Sequence, residues 1–531
     1  MNKLFHKVLL GVTAIILFAG CKKTLDTFPY GSITDASAFE NADRCLLVLN
    51  GVYDAAQSSP YTDGSSRGYP FGAASIEQSD MRGEDMINIQ TFYQFTYQSS
   101  HNSASPNVVA HWSGIYLTIN KANVGIDGFT KAGASGVLTA AVANQFVAEC
   151  RFLRALSHHE ALIHWARPYA DGNGNKMGVP WRDFPINSSD AVNSILATPR
   201  MRVDSVYMKI LEDLDFAETN LPATHGTTPA GINTYRANKA AAIALKMRIK
   251  LHKGDWAGVI AEGAKLVPAG AGPYTSPIGN WSLTVSPDGP FTNNSSTESI
   301  FSIKNDQLDA PNQNASLPRM YSSSTVGGRG LVSISPIIWN NPGWLCDDKR
   351  RTLLYASGAN NAGTQSIFTT KYKKVTEQSD FAPHIRYAEV LLTLAEAEAR
   401  QGAGVTARAI DLLNAVRNRA LATPATQAYT VASFATKDAL IAAILLERRI
   451  EFLAEGKRWA DITRNSKDPV FNAGGIPAKA ANGTTGLAIM VCGGAYTPNQ
   501  AAVPYDDYRF VWPISLTEVV QNPIVAQNPN Y

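Results

Sequence analysis

Residues 386–402 read RYAEVLLTLAEAEARQG, and residues 446–464 read LERRIEFLAEGKRWADITR. In the first stretch Tyr387, Val390, Leu391 and Leu394 fall at i, i+3, i+4 and i+7, which lays an apolar stripe along one side of an α-helix. After the Gly402/Gly404 break, Ala409, Leu412, Leu413, Val416 and Ala420 repeat that spacing, so the pair predicts a helix hairpin. Leu440, Ile441, Ile444, Leu445 and Phe452 set out a third helix that stops at Gly456, ahead of Arg458, Trp459 and Asp461. Helical patterns of the same kind occupy 108–123, 140–165, 203–219 and 237–252, each paired with another across a short break. This predicts a mostly α chain of stacked hairpins, a tetratricopeptide-like superhelix, although no constant period runs through it. The segment 268–383 interrupts the helices and is rich in Gly, Pro, Asn and Ser, with short β-type runs at SIFSIKN (299–305) and QSIFTTKY (365–372). A region that long must fold against the helices, giving a large loop-rich part with minor β elements.

The same three helices resemble the SusD/RagB family of outer-membrane nutrient-binding lipoproteins of the Bacteroidota. The resemblance is carried by the RYAEVLL run, by Asn414, Val416, Arg417, Arg419 and Ala420 in an N-x-V-R-x-R-A pattern, and by the E-R-R-x-E-x-x-x-E-G-x-R-W-x-D run that starts at Glu447. Asn50, Gly51 and Tyr53 match the family's first helix, and PISLTEVVQNPIVAQNPNY (513–531) matches its ending, with Asn530 where glycine is usual. Asparagine also tolerates positive φ, so a turn survives there. The resemblance implies a binder rather than a catalyst. It implies an oligosaccharide ligand, no cofactor, and a SusC-like TonB-dependent outer-membrane transporter as partner, over which the lipoprotein acts as a lid. Peptide capture, as in RagB-like members, is the alternative within the fold.

The N-terminus fits that reading. Lys3 and Lys7 precede an apolar run, Val8 to Phe18, of about eleven residues, too short to span a bilayer. Ala19-Gly20-Cys21 then places small residues before a cysteine, as in a bacterial lipobox, so residues 1–20 are expected to be a lipoprotein signal peptide and Cys21 the lipid attachment point. The remainder divides into an N-terminal region, 21–235, and a C-terminal region, 236–531, expected to form one integrated fold. The localisation expected is the outer membrane, anchored by lipid and exposed at the cell surface.

With 531 residues, 45% of them hydrophobic, the chain can bury a large core. The formal charge is +3, falling by two without Lys3 and Lys7, and no lysine- or arginine-rich block points to nucleic acid. Cys45, Cys150, Cys346 and Cys492 are scattered and form no C-x-x-C pair, which argues against structural zinc. Four cysteines leave three disulfide pairings open, although Cys45 and Cys150 sit in helical patterns suited to buried thiols.

Three motifs invite chemistry and are better read as structure. HHEALIH (158–164) resembles a zinc-protease helix, but His159 and His164 are five apart, about 140° round the helix, and cannot share an ion. Asp171, Asn173 and Asn175 imitate the first ligands of a calcium loop, yet Lys176 and Arg182 stand where glycine and a bidentate glutamate belong. Glu447, Glu451 and Glu455 recur every four residues and could supply the acid and base of a glycoside hydrolase. Arg448, Arg449, Lys457 and Arg458 surround them, and positive neighbours lower a carboxyl pKa where a general acid needs it raised.

Sugars are held by aromatic rings stacked on their faces and by polar groups on their hydroxyls. Two segments outside the helical patterns hold both ingredients. In 79–102 the candidates are Asp80, Arg82, Asp85, Tyr93 and Tyr97; SusD-like glycan binders take ligand residues from this region. In 305–351 they are Tyr321, Arg329, Trp339 and Trp344, before Asp348-Lys349-Arg350, which matches the family's D-x-R element. Trp112, Tyr116 and Trp459 lie in helical patterns and are read as structural.

Overall fold

The computed structural model describes residues 35–229 and 231–531. The expected leader, Cys21 and its lipid lie outside those residues.

The helices run α1 (Ala42–Gln57), α2 (Ala74–Arg82), α3 (Pro106–Ala134), α4 (Ala140–Trp165), α5 (Val203–Asn220), α6 (Lys239–Lys253) and α7 (Trp256–Leu266). After the loop-rich segment come α8 (Tyr387–Gln401), α9 (Ala407–Arg417), α10 (Lys437–Glu451) and α11 (Arg458–Arg464). Side-chain caps mark the starts: Thr139, Asn238, Asp255 and Thr436 each accept a backbone N–H of the first turn of α4, α6, α7 and α10. From α3 to α8 each helix packs on the next, and α9 and α10 both pack on α8. That unbroken ladder is the superhelix expected from the hairpin pattern, and its facing stripes merge into one apolar core. Among the described residues no helix is long and apolar enough to cross a membrane.

Six short strands lie in or beside the loop-rich region. Strand β1 (Met86–Asn88) pairs antiparallel with β3 (Val332–Ile334), and β2 (Ser299–Ile303) with β6 (Ala382–Arg386). A hairpin joins β4 (Tyr355–Ala359) to β5 (Gln365–Thr369). The SIFSIKN and QSIFTTKY runs thus become β2 and β5. A disulfide joins Cys346 to Cys492, 146 residues apart, and resolves the open pairing; Cys45 and Cys150 are buried free thiols.

Where β6 ends and α10 ends, the chain buries an ion network. Arg386 bonds Glu451 at 3.0 Å and Glu455 at 2.8 Å, and also pairs with Glu298. Arg350 reaches Glu447 at 2.6 Å and Glu451 at 3.0 Å, Arg419 reaches Glu451 at 2.7 Å, and Lys371 reaches Glu455 at 2.6 Å. Glu455 does not share the helix face of the other two, because α10 stops at Glu451 and Glu455 lies in the following turn. Burial alone would raise the Glu451 carboxyl, but Arg419, Arg386, Arg350 and Lys371 outweigh it and hold it at about 2. Glu455 is likewise held below the usual range, by Arg386 and Lys371 against burial. A general acid needs the opposite shift.

Glu451→Gln leaves three guanidiniums short of a counter-charge and should cost roughly 3–5 kcal/mol at pH 7. The depressed pKa means this carboxylate stabilises the fold above about pH 4.5, its ordinary value, and progressively less as pH falls toward 2. Urea melts of wild type and variant should therefore differ widely at pH 7, and the gap should narrow below pH 4.5 and close only near pH 2. A constant gap would show that the Glu451 charge is not what stabilises.

Candidate functional site

Most residues singled out in 79–102 lie inside the protein. Helix α2 is buried along its whole length, and several of its polar groups bond partners far along the chain. Asp80 accepts the Tyr321 hydroxyl at 2.8 Å and the Gly456 N–H at 3.0 Å. Arg82 donates to the Phe510 carbonyl and lies over the Trp459 ring, 3.5 Å from its centroid. Asp85 accepts from Arg449 at 3.0 Å, Tyr97 donates to the Ala480 carbonyl at 2.7 Å, and Tyr93 donates to Glu77. Gly456 explains part of this closeness. It adopts φ +70°, and a Cβ there would sit 2.6 Å from the Ile76 Cα, so only glycine lets the turn after α10 lie against α2.

The expectation that Tyr93, Tyr97, Tyr321 and Trp344 offer ring faces to a ligand is corrected by their burial; none has a ring face open to solvent. Trp344 packs edge-on against Trp339 and Tyr355 with the Arg351 guanidinium 4.2 Å from its centroid. Asp80, Arg82 and Asp85 are equally enclosed. Trp339 and Arg329 alone of the named candidates are half-exposed, and they flank β3 at opposite ends, so the structure does not bring them together. Trp112 and Trp459 are buried as expected.

Above this layer the segment TFYQFTYQ (91–98) sends alternate aromatics in opposite directions. Tyr93, Thr96 and Tyr97 turn inward, while Phe92 is half-buried and Phe95 is 53% exposed. No ring or cation covers Phe95 among the described residues. Phe92 carries the Arg67 and Arg329 guanidiniums, 5.3 and 5.0 Å from its centroid, and Arg67 also lies 4.4 Å from that of Tyr61. Gln94 and Gln98, with a 3.1 Å hydrogen bond between them, add amide donors and acceptors on the outer side of the same turn. The face therefore combines a free ring, stacked guanidiniums and amides on a rigid base. Phe92 and Phe95 escaped the reading because tyrosine looks the better sugar platform; the helical i, i+4 spacing of Tyr93 and Tyr97 was the signal that they face inward together.

Polar groups also gather at three other places in the fold. His111, Glu160 and His164 converge, with both Nε2 atoms 3.4 and 3.3 Å from Glu160 Oε1, an arrangement the His159/His164 spacing did not reveal. A metal on His164 Nε2 would need the ring proton on Nδ1. That nitrogen faces Arg82, a donor only, at 3.1 Å, so the proton sits on Nε2 and points at Glu160. In the calcium-like loop Gly172, Asn173 and Gly174 all have positive φ. Asp171 there accepts from Tyr505 at 2.9 Å with the Lys176 ammonium 3.9 Å away, which opposes a cation. A cavity of about 510 Å³ between α1 and the loop after β2 is lined by Asp54, Gln57, Tyr235, Lys304 and Asp309. Burial, then Asp309, raises the Asp54 carboxyl, and Lys304 lies over the Tyr235 ring at 5.3 Å, so its ring face is taken.

Comparison with known proteins agrees with this architecture. A family model described as "SusD family" matches residues 360–531, and one described as "Starch-binding associating with outer membrane" matches 48–251. The chain belongs to the SusD/RagB family. SusD-like protein P38 of Formosa agariphila is 22% identical over 98% of this chain and 99% of its own length. The crystal structure of a SusD superfamily protein from Bacteroides fragilis superposes with a TM-score of 0.74 at 26% identity, covering 92% of this chain and 99% of that one. A laminarin binding SusD-like protein shares the fold, with a TM-score of 0.66 at 19% identity over 93% of this chain and all of its own. In this SusD/RagB chain, the matched C-terminal stretch includes Glu451 and Gly456, and the matched N-terminal stretch includes the aromatic turn.

Burial pushes the Asp80 carboxyl up to about 8, against the Tyr321 and Gly456 hydrogen bonds, so it is protonated at neutral pH. A raised pKa stabilises the fold most below the ordinary 3.8, and that contribution is lost as pH rises through about 8. Asp80→Asn can accept the Gly456 N–H through its carbonyl oxygen and donate its amide N–H to the Tyr321 oxygen, without the titration. The variant should match wild type near pH 5 and gain on it by up to about 1.4 kcal/mol per pH unit toward pH 8. Denaturant melts across that range check this, and a variant that loses ground as pH rises would mean Asp80 is ionised in the fold.

Proposed function

We propose that this chain is a cell-surface glycan-binding lipoprotein, anchored at Cys21, that captures an oligosaccharide and passes it to a SusC-like TonB-dependent transporter in the outer membrane. The whole of 21–531 acts in this as one unit. The observation that carries the binding step is the open Phe95 ring beside the Phe92–Arg67–Arg329 stack. A sugar ring lies on an aromatic face through its C–H groups, and its hydroxyls accept from guanidinium and amide N–H groups. The description of the N-terminal family model, which pairs starch binding with outer-membrane association, and the laminarin binding relative support this reading. No bond of the glycan need be broken, since Glu451 and Glu455 are held as paired carboxylates inside the fold.

Phe95→Ala should weaken glycan binding about tenfold through loss of one stacked ring, while the melting temperature stays within about 2 °C of wild type. Trp344→Ala should do the reverse, losing roughly 3–5 kcal/mol of stability because that ring is core. Calorimetry against a polysaccharide panel, paired with thermal melts, checks both. Normal binding by a folded Phe95→Ala variant would place the platform elsewhere, with half-exposed Trp339 next.

Anchoring has its own test. Cys21→Ala should move the protein from the membrane fraction to the soluble fraction in cells lacking a SusC-like partner, and quantitative retention in the membrane would rule out the lipid anchor.

A further inference from the structure

We propose that the face around Phe92 selects anionic ligands, binding an oligosaccharide that carries carboxylate or sulfate groups through Arg67, Arg319 and Arg329. This rests on the glycan-binding reading of the same face and narrows its ligand class.

The three arginines come from separate segments and meet at one place. The Arg329 N–H donates to the Arg319 carbonyl at 2.8 Å, which sets their backbones side by side, and Arg67 shares the Phe92 ring with Arg329. Elsewhere the half-buried and buried arginines are committed. Arg350, Arg386, Arg419 and Arg464 each bond carboxylates, and Arg351 and Arg200 are used by backbone carbonyls. Arg319 and Arg329 differ. Among the described residues neither has a carboxylate within 4 Å. Arg319 donates only to Gln313, at 3.3 Å, and its Nε is buried without a partner. Arg329 bonds Asn314 and the Met320 sulfur through one nitrogen, which leaves the other two uncommitted. Each guanidinium has five N–H donors in a planar fork, the shape that fits two oxygens of a carboxylate or sulfate.

Nothing beneath the cluster cancels its charge. Asp63, 3.3 Å from Arg67, is 55% exposed and is the one acidic partner that any of the three has among the described residues. The nearest interior carboxyls, Glu77 and Asp80, are both pushed up to about 8 by burial and so carry their protons at neutral pH. Burial is the main cause that pulls Arg329 below its usual value; Arg67 and Arg319 add to it by repulsion, while Tyr93 and Glu77 oppose it. An anion placed among them relieves that repulsion. Phe92 is shared by the Arg67 and Arg329 guanidiniums, while Phe95 stays free for the sugar ring.

The test titrates the full chain in detergent with four probes: an oligogalacturonate for carboxylate, a sulfated galactan oligosaccharide for sulfate, a neutral laminari-oligosaccharide, and hexaglutamate. At 20 mM salt at least one anionic oligosaccharide should bind about tenfold or more tighter than the neutral one, with the advantage shrinking at 200 mM salt. Arg319→Gln and Arg329→Gln should each remove most of that advantage, lowering the anionic affinity far more than the neutral one, and melt as wild type does. Which anionic probe wins tells carboxylate from sulfate. Equal binding of neutral and anionic probes, sensitive to Phe95→Ala and indifferent to the arginine variants, overturns anion selection and leaves the glycan reading standing. Failure of every oligosaccharide to bind the folded protein overturns both. Hexaglutamate binding more tightly than any oligosaccharide overturns the proposal in favour of a peptide ligand.

Discussion

The Glu451 carboxylate, enclosed by Arg350, Arg386 and Arg419, holds the parts of this molecule together. Taking one carboxylate and three guanidiniums out of water is expensive, and the expense is recovered only when every partner arrives in place. Those partners come from the end of β6, the loop before β4 and the segment after α9, so the network forms only when the loop-rich region has docked on the helical ladder. Helix packing alone, being apolar and tolerant of sliding, would not fix that docking to a single register. Five residues further on, Gly456 lets the turn after α10 meet α2, and its N–H reaches Asp80.

From that contact outward the structure is a set of nested layers. Asp80 binds Tyr321, Glu77 binds Tyr93, and Tyr97 reaches Ala480, which makes the floor of the Phe92 face a hydrogen-bonded plate rather than a loose loop. A ligand face on such a floor loses little conformational entropy when it binds, the usual limit on affinity for shallow sugar sites. In the proposed site the inner tyrosines act by carrying the outer phenylalanines and arginines.

The helical ladder was legible because apolar spacing reports burial directly, and Gly402, Gly404 and Gly456 punctuate it. The charge-rich end of α10 was also legible: arginines interleaved with Glu447, Glu451 and Glu455 signalled paired carboxylates. The site was legible only to the level of segment. Asp80, Arg82 and Asp85 look like loop residues because their partners Gly456, Phe510 and Arg449 are more than 300 residues away, and local pattern carries no information about such pairs. Tyr93 and Tyr97 carry the polar handle that suits a sugar platform, whereas helical phase puts them inside and leaves Phe95 outside. His111, Glu160 and His164 came together from two helices for the same reason, and only the Arg82 contact shows which His164 nitrogen carries the proton.

Hydrogen–deuterium exchange of the full chain with and without a bound glycan tests the central claim most directly. Ligand should slow exchange in 61–69, 90–98 and 312–330 together, while α10 and α2 are slow in both states. Protection confined to 50–57 and 303–309, around the cavity between α1 and the loop after β2, would contradict the account and move the binding site to that cavity.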